Sequence, residues 1–235
     1  MIPRISVVIP AHNEEKYISA CLSSLKHQIY NDFEIIVVDN ASTDRTAQIA
    51  RLFADKVIFE PVRGVACARQ LGFEAARGEI IVSADADTLF ESDWLLKIAR
   101  KFDEDNELFA ICGHMIFYDG DKLSRWITGR PLKFVISTNY LLGIRSFFGC
   151  NFAVRKEYFK KCGGFNLRMN QDEELELAQR LKKLGKIVYC PEIVAYTSVR
   201  RFKANPLEYL CIATVNFFRV MLKTGDIVSN FKVVR

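Results

Sequence analysis

Hydrophobic positions in the first third of the chain switch repeatedly between two periods. Residues 5–9, Ile-Ser-Val-Val-Ile, form a β-branched run closed by Pro10, which predicts a buried strand. Tyr17, Ile18, Cys21, Leu22 and Leu25 then recur three and four apart, the spacing of a helix with one apolar face. Asn13 is placed to cap that helix, with Glu14 and Glu15 in the first turn, where the dipole favours negative charge. Residues 34–38 repeat the strand pattern and end at Asp39-Asn40-Ala41-Ser42-Thr43-Asp44. Ser42 or Thr43 is expected to cap a second helix running to about Phe53. A third strand over 56–59 ends at Pro61, a third helix over 64–76 ends at Gly78, and Glu79 begins a fourth strand. Strands alternating with helices at this spacing predict βαβ units and a mainly parallel sheet, an α/β fold.

In such sheets ligands bind beyond the carboxyl ends of the strands. Three polar clusters fall there: residues 10–13, Asp39-Asn40, and Asp85-Ala86-Asp87 after the run Ile80-Ile81-Val82. In an extended chain Asp85 and Asp87 would share a face. Their mutual repulsion would be relieved by a divalent cation with oxygen ligands, itself bound to a diphosphate. Asp-x-Asp alone is a weak signal, since a solvated acidic turn reads the same way.

The second half carries fewer signals. Gly149-Cys150-Asn151-Phe152 and Gly163-Gly164-Phe165-Asn166 supply glycines where the backbone must approach a neighbour closely. Asp172, Glu173, Glu174 and Glu176 open a helix whose Leu177, Leu181 and Leu184 form a buried stripe. An edge strand over 194–198 precedes Arg200-Arg201, and residues 206–222 read as a helix with a broad apolar face. That face would pack on the core, on a second copy in a homodimer, or on a membrane surface.

At 235 residues and 26.9 kDa the chain can bury a large core as a single domain. The seven cysteines are scattered without a Cys-x-x-Cys pair, as in a reduced cytoplasmic protein. Residues 1–4 lead straight into a strand, so no secretory leader is expected, and charges interrupt the longest apolar stretches. The net charge of +5 divides into −6 over residues 1–112 and +11 over 113–235. This split implies a metal–nucleotide on one side and an anionic acceptor or membrane surface on the other, with a peripheral location at the inner face of the membrane. No recognition motif supports nucleic-acid binding.

Four stretches in order resemble glycosyltransferase family 2 with the GT-A nucleotide-diphospho-sugar fold. They are Ser6-Val7-Val8-Ile9-Pro10-Ala11-His12-Asn13-Glu14-Glu15, Ile36-Val37-Val38-Asp39-Asn40-Ala41-Ser42-Thr43-Asp44, Ala68-Arg69-Gln70-Leu71-Gly72, and Ala76-Arg77-Gly78-Glu79 leading into Asp85-Ala86-Asp87. The resemblance implies a Rossmann-like sheet flanked by helices, in two lobes: residues 1–112 for the nucleotide-sugar and 113–235 for the acceptor and catalytic base. It places Pro10, Ala11, Asn13, Glu15 and Asp39 at the nucleobase and ribose, Arg69 near the diphosphate, and Asp85 and Asp87 at a Mn2+ or Mg2+ ion. Asn40-Ala41 departs from the family's more frequent Asp-Gly. Counting back from Arg180-Leu181 places the base at Glu174, a glutamate where relatives carry aspartate; Asp172 competes if the register slides. The implied reaction is inverting sugar transfer from a UDP- or GDP-sugar to an acceptor hydroxyl or phosphate, with a lipid-linked acceptor fitting the basic half. For Arg69 the plain alternative is a solvated helix residue paired with Glu74. A sugar nucleotidyltransferase would need a Gly-rich loop where Ala11-His12-Asn13 stands. A non-catalytic nucleotide-sugar-binding protein would not need the intact carboxylates.

Overall fold

In β1 (Ile5–Ala11) alternate side chains enter two separate cores, Ile5, Val7 and Ile9 on one face and Val8 on the other. The same period divides β2 (Phe33–Asp39) into Ile35 and Val37 against Ile36 and Val38, and β4 (Ile80–Ser83) into Ile80 and Val82 against Ile81. These strands are covered on both faces, which is why they read as continuous apolar runs. The computed structural model describes residues 2–169, 172–200 and 203.

Among those residues one eight-stranded sheet runs β3-β2-β1-β4-β7-β6-β8-β5. Its remaining strands are β3 (Lys56–Phe59), β5 (Thr88–Phe90), β6 (Leu108–Phe117), β7 (Phe152–Arg155) and β8 (Lys186–Thr197). The first four in space are mutually parallel, as expected for βαβ units. β7 then runs antiparallel to both β4 and β6, and β5 antiparallel to β8, so the sheet is mixed. The boundary expected at residues 112/113 falls inside β6, and both halves of the chain contribute to this one sheet. The strand expected over 194–198 is the last part of β8, an inner strand between β6 and β5 and not an edge.

On one face lie α1 (Ile18–Lys26) and α4 (Trp94–Glu104), which bury Cys21, Leu22, Leu25, Trp94, Ile98 and Phe102. On the other lie α3 (Val65–Ala75), α6 (Arg130–Leu141), α7 (Lys156–Lys161) and α8 (Glu173–Leu181). The short α2 (Thr46–Ala50) and α5 (Lys122–Thr128) complete the described helices. Gly72 lets α3 lie directly on the sheet, because a Cβ there would sit 2.3 Å from a methyl of Val8. α3 and α8 therefore share a face, which decides the geometry of the site. Asn151 ties α4, β6 and β8 together: Trp94 Nε1 donates to its Oδ1 at 3.0 Å, and its Nδ2 donates to the carbonyls of His114 and Ile193.

Several local expectations are corrected. Pro10 does not end β1: pairing with β4 stops at Val8↔Ser83, so the missing Pro10 N–H faces a side with no strand, and the pairing with β2 continues to Ala11↔Asp39. Asn13 is not a cap; its φ is +56°, and α1 starts only at Ile18. Neither Ser42 nor Thr43 caps α2, which ends at Ala50; Asp44 accepts from the Thr46 amide instead. Leu177 and Leu181 are fully buried, but Leu184 is 43 % exposed because α8 ends at Leu181. The six described cysteines are free, and burial raises the thiol pKa values of Cys112 and Cys190 to about 12, so they stay protonated. No helix among the described residues is long and apolar enough to cross a membrane.

Candidate active site

The carboxyl ends of β1, β2 and β4 bring the three polar clusters to one edge of the sheet. Ala11 pairs with Asp39, and the Asn40 amide donates to the Ala11 carbonyl at 2.8 Å. Asn13, in its left-handed conformation, accepts from the Thr43 amide at 2.8 Å, while Ser42 Oγ accepts from the Asn13 amide. Asp39 is buried and accepts from the Ser42 amide. Glu15 binds Arg45 through its carboxylate and Asp44 through its amide. The Pro10–Glu15 segment and the loop after β2 thus form one hydrogen-bonded unit. Asn40 has a structural role, since its side chain holds the carbonyls of Glu60 and Val62 and the Gly64 amide and so fixes the loop that enters α3.

Asp85-Ala86-Asp87 is a turn and not an extended segment. Each carboxylate meets a different arginine. Arg69 Nη2 donates to Asp85 Oδ1 at 2.7 Å, and Arg200 Nε donates to Asp87 Oδ2 at 2.9 Å. Arg200 also pairs with the buried Glu14 and lies 4.5 Å over the Tyr17 ring. Burial opposes both guanidinium charges, but the surrounding carboxylates outweigh it and hold Arg69 and Arg200 protonated.

Arg69 does not pair with Glu74 in solvent. It is 4 % exposed, and Gln70 takes Glu74 instead. Through its other terminal nitrogen Arg69 pairs with Glu173, itself 1 % exposed, and lies 3.6 Å from Glu174. This is the contact that α3 and α8 can make by sharing a face. Gly149 makes room for it: its carbonyl accepts from Ser83 Oγ, and a Cβ there would fall 2.3 Å from Arg69 Nη2. Burial first, then the Glu173 carboxylate, pushes Glu174 well above the usual carboxylate range against the pull of Arg69. Asp172 precedes the helix at φ +54° and is partly exposed.

Ten residues singled out from the sequence therefore divide into three connected groups. Pro10, Ala11, Asn13, Glu15 and Asp39 lie at the ends of β1 and β2. Asp85, Arg69 and Glu174 form an ionic chain, with Asp172 beside Glu174. Asp87 stands with Arg200. Sequence reasoning missed Glu14, Glu173 and Tyr17; only a buried ion-pair network marks them, and such a network joins residues far apart in the chain. Arg201 and the apolar segment 206–222 lie outside the described residues. Clefts of about 450 and 440 Å³ lie elsewhere, near Pro3 and Arg77 and near Glu60 and Leu167, and none of these ten residues lines them.

No group of three or more His, Cys, Asp or Glu among the described residues could hold a metal ion by itself. Asp85 and Asp87 are hard oxygen donors on one turn. They suit Mg2+ or Mn2+, which usually take one or two carboxylates and complete their shell with substrate phosphates and water.

A parallel βαβ half-sheet with carboxylates at its strand ends, continued by antiparallel strands that bring an acidic helix to the same place, is the GT-A architecture. The glycosyl transferase family 2 profile matches residues 6–163, and the chain belongs to that family. It is 30 % identical over 201 residues to the Bacillus subtilis (strain 168) protein named "Probable glycosyltransferase YdaM", covering 78 % of this chain and 48 % of that one. Over 102 residues it is 35 % identical to glycosyltransferase AglE of Haloferax volcanii, covering 40 % of this chain and 34 % of that one. The chain thus spans half or less of the length of these curated relatives. In fold it is similar to mannosyltransferase PcManGT from Pyrobaculum calidifontis, solved in complex with GDP-Man and Mn2+ (TM-score 0.75, 24 % identity, 97 % of this chain and 66 % of that chain). It is also similar to glucosyl-3-phosphoglycerate synthase from Mycobacterium tuberculosis, solved with Mn2+, UDP and phosphoglyceric acid (TM-score 0.66, 22 % identity, 94 % and 78 %).

Proposed function

We propose that this chain transfers a sugar, with inversion, from a UDP- or GDP-sugar to an acceptor hydroxyl or phosphate. The observation that carries the reading is the buried guanidinium of Arg69, which holds Asp85 of the Asp-x-Asp turn and the first turn of α8 together. It fixes the phosphate end of a donor relative to a carboxylate on the acceptor side, and such fixed placement is the larger part of group-transfer catalysis. The family membership and the nucleotide-sugar complexes of PcManGT and the phosphoglycerate synthase support the donor class.

In this reading residues 10–15 and Asp39 cradle nucleobase and ribose. Arg69 and Arg200, both kept protonated, are the cations available to diphosphate oxygens, for which a guanidinium fork is well matched. Asp87 and Asp85 would hold Mn2+ or Mg2+, which supplies charge neutralisation at the departing diphosphate. Glu174 takes the proton of the acceptor hydroxyl as the oxygen attacks the anomeric carbon from the far side, so the C–O bond to the acceptor forms as the bond to diphosphate breaks. Burial and the neighbouring Glu173 raise its proton affinity, which strengthens it as a base. Asp172 is the second candidate for that role. An anionic acceptor phosphate would need no base. The +11 charge of the second half favours an anionic, lipid-linked acceptor and a peripheral place at the membrane.

A thermal-shift screen of nucleotide-diphospho-sugars with and without Mn2+ tests the donor class, because bound ligand stabilises by mass action. A donor that stabilises only with Mn2+ supports the reading; indifference to every UDP- and GDP-sugar contradicts it.

A further inference from the structure

Helices α5 and α6 carry apolar side chains on faces that stay exposed among the described residues. In α5 these are Leu123, Trp126 and Ile127, three and four residues apart on one side of the helix. In α6 and just after it Phe134, Val135, Leu141 and Leu142 repeat at seven-residue spacing, again on one side. Trp126 is 64 % exposed, Phe134 74 % and Leu141 87 %. Scattered exposed apolar residues are ordinary, but two adjoining helices that each turn an apolar face outward are not.

The charges around these faces are of one sign. Lys122, Arg125, Arg130 and Lys133 are exposed, and no ion pair joins them among the described residues. From residue 122 to 156 the chain has no Asp or Glu at all. Asp121, just before this run, is spent capping α5 through the Ser124 amide. A second copy packed by a two-fold axis would bring these cations against themselves. Residues 204–235, with four Lys or Arg and two acids, are also net positive. An anionic surface with an apolar interior satisfies both features at once.

We propose that the α5–α6 face docks the protein on an anionic lipid bilayer, with Trp126 and Phe134 entering the headgroup–acyl boundary and the four cations facing lipid phosphates. The segment after α6 links this face to the site, because Gln179 of α8 donates to the carbonyl of Arg145. This deepens, and in that respect rests on, the reading of a membrane-associated acceptor, but binding to the bilayer needs no transfer chemistry.

The chain has two tryptophans, and Trp94 is 1 % exposed, so Trp126 is a built-in reporter. The full chain is mixed with vesicles of phosphatidylcholine alone or with phosphatidylserine, and sedimentation and Trp emission are read together. Binding to the anionic vesicles only, weakened by salt, with a blue shift that Trp126→Phe removes, is the expected result. Lys122→Glu/Arg125→Glu and, separately, Phe134→Ser should each cut partitioning by about tenfold or more while donor turnover in solution stays at the wild-type level. Absence of binding, or binding that these substitutions leave unchanged, overturns the assignment. So does a dimer in sedimentation velocity that Trp126→Glu dissociates, because the face is then an interface between copies. Vesicle binding without donor turnover would leave the docking face standing and contradict the transfer reading alone.

Discussion

Asp85 Oδ1 lies 2.7 Å from Arg69 Nη2, and the same guanidinium forms a buried pair with Glu173. A helix on one face, a turn at a strand end and the start of a second helix are thus held by one side chain. Removing it would leave Glu173 buried without a cation, a loss of the kind that costs about 3–5 kcal/mol. Arg69→Ala should therefore lower stability by that amount in denaturant unfolding, with donor turnover lost as well. A change below about 1 kcal/mol would show that the network does not hold these elements.

Gly149 is predicted to be required by that same arginine. In Gly149→Ala the new Cβ would sit 2.3 Å from Arg69 Nη2, and the guanidinium must move. The expected cost is about 1–3 kcal/mol together with reduced donor affinity. Gly163→Ala is the control, since a Cβ there meets nothing within 4 Å and only the strain of φ +84° is at stake. Calorimetry on the two variants separates crowding of Arg69 from backbone strain: equal effects on donor affinity would remove the role given to Gly149.

Glu174 gives a prediction about pH. Its folded pKa is raised, so the stability it contributes is complete below the ordinary carboxylate value and is lost as pH rises through the raised one. Glu174→Gln should flatten that loss, so the variant gains on the wild type as pH rises from the ordinary carboxylate value through the raised one. The base role predicts that wild-type kcat/KM rises over the same interval and that Glu174→Gln cuts turnover by roughly 100-fold with donor affinity little changed. If Asp172→Asn abolishes the rising limb and Glu174→Gln keeps it, the base is Asp172.

Most of the first half was legible because local pattern and tertiary setting agree there. Strands buried on both faces must be apolar nearly throughout, and β1, β2 and β4 read that way. The caps were misplaced because Asn13, Ser42 and Thr43 bond to one another across the ends of two strands, which local sequence does not reveal. β7 and β8 were harder for a related reason: they enter the sheet from distant chain positions, and nothing near residues 194–198 announces that β5 covers their outer side. In the site, residue types at strand ends could be named from sequence, but their pairing could not. Arg69 could be named near the diphosphate, but its pairing with Glu173 shows only once α8 is placed beside α3, and Glu14 reads as a helix-start acid until Arg200 arrives from 186 positions away.

Arg200 is expected to bind phosphate. Arg200→Ala should weaken nucleoside diphosphate binding by about tenfold or more while leaving nucleoside binding nearly unchanged, since a lost charge-assisted pair acts at the phosphates alone. Calorimetric titration with UDP, GDP and the free nucleosides checks it, and an equal loss for nucleosides would place Arg200 elsewhere in the mechanism.

Whether the Asp85–Asp87 turn serves transfer from a nucleotide-diphospho-sugar is decided by nucleoside diphosphate release. Release from UDP- and GDP-sugars is measured with and without Mn2+ for the wild type and for Asp87→Asn, with circular dichroism confirming that both are folded. Mn2+-dependent release by the wild type from at least one donor, lost in Asp87→Asn, is the expected result. Wild-type release that a folded Asp87→Asn protein matches, with the same response to Mn2+, would contradict the role given to the turn.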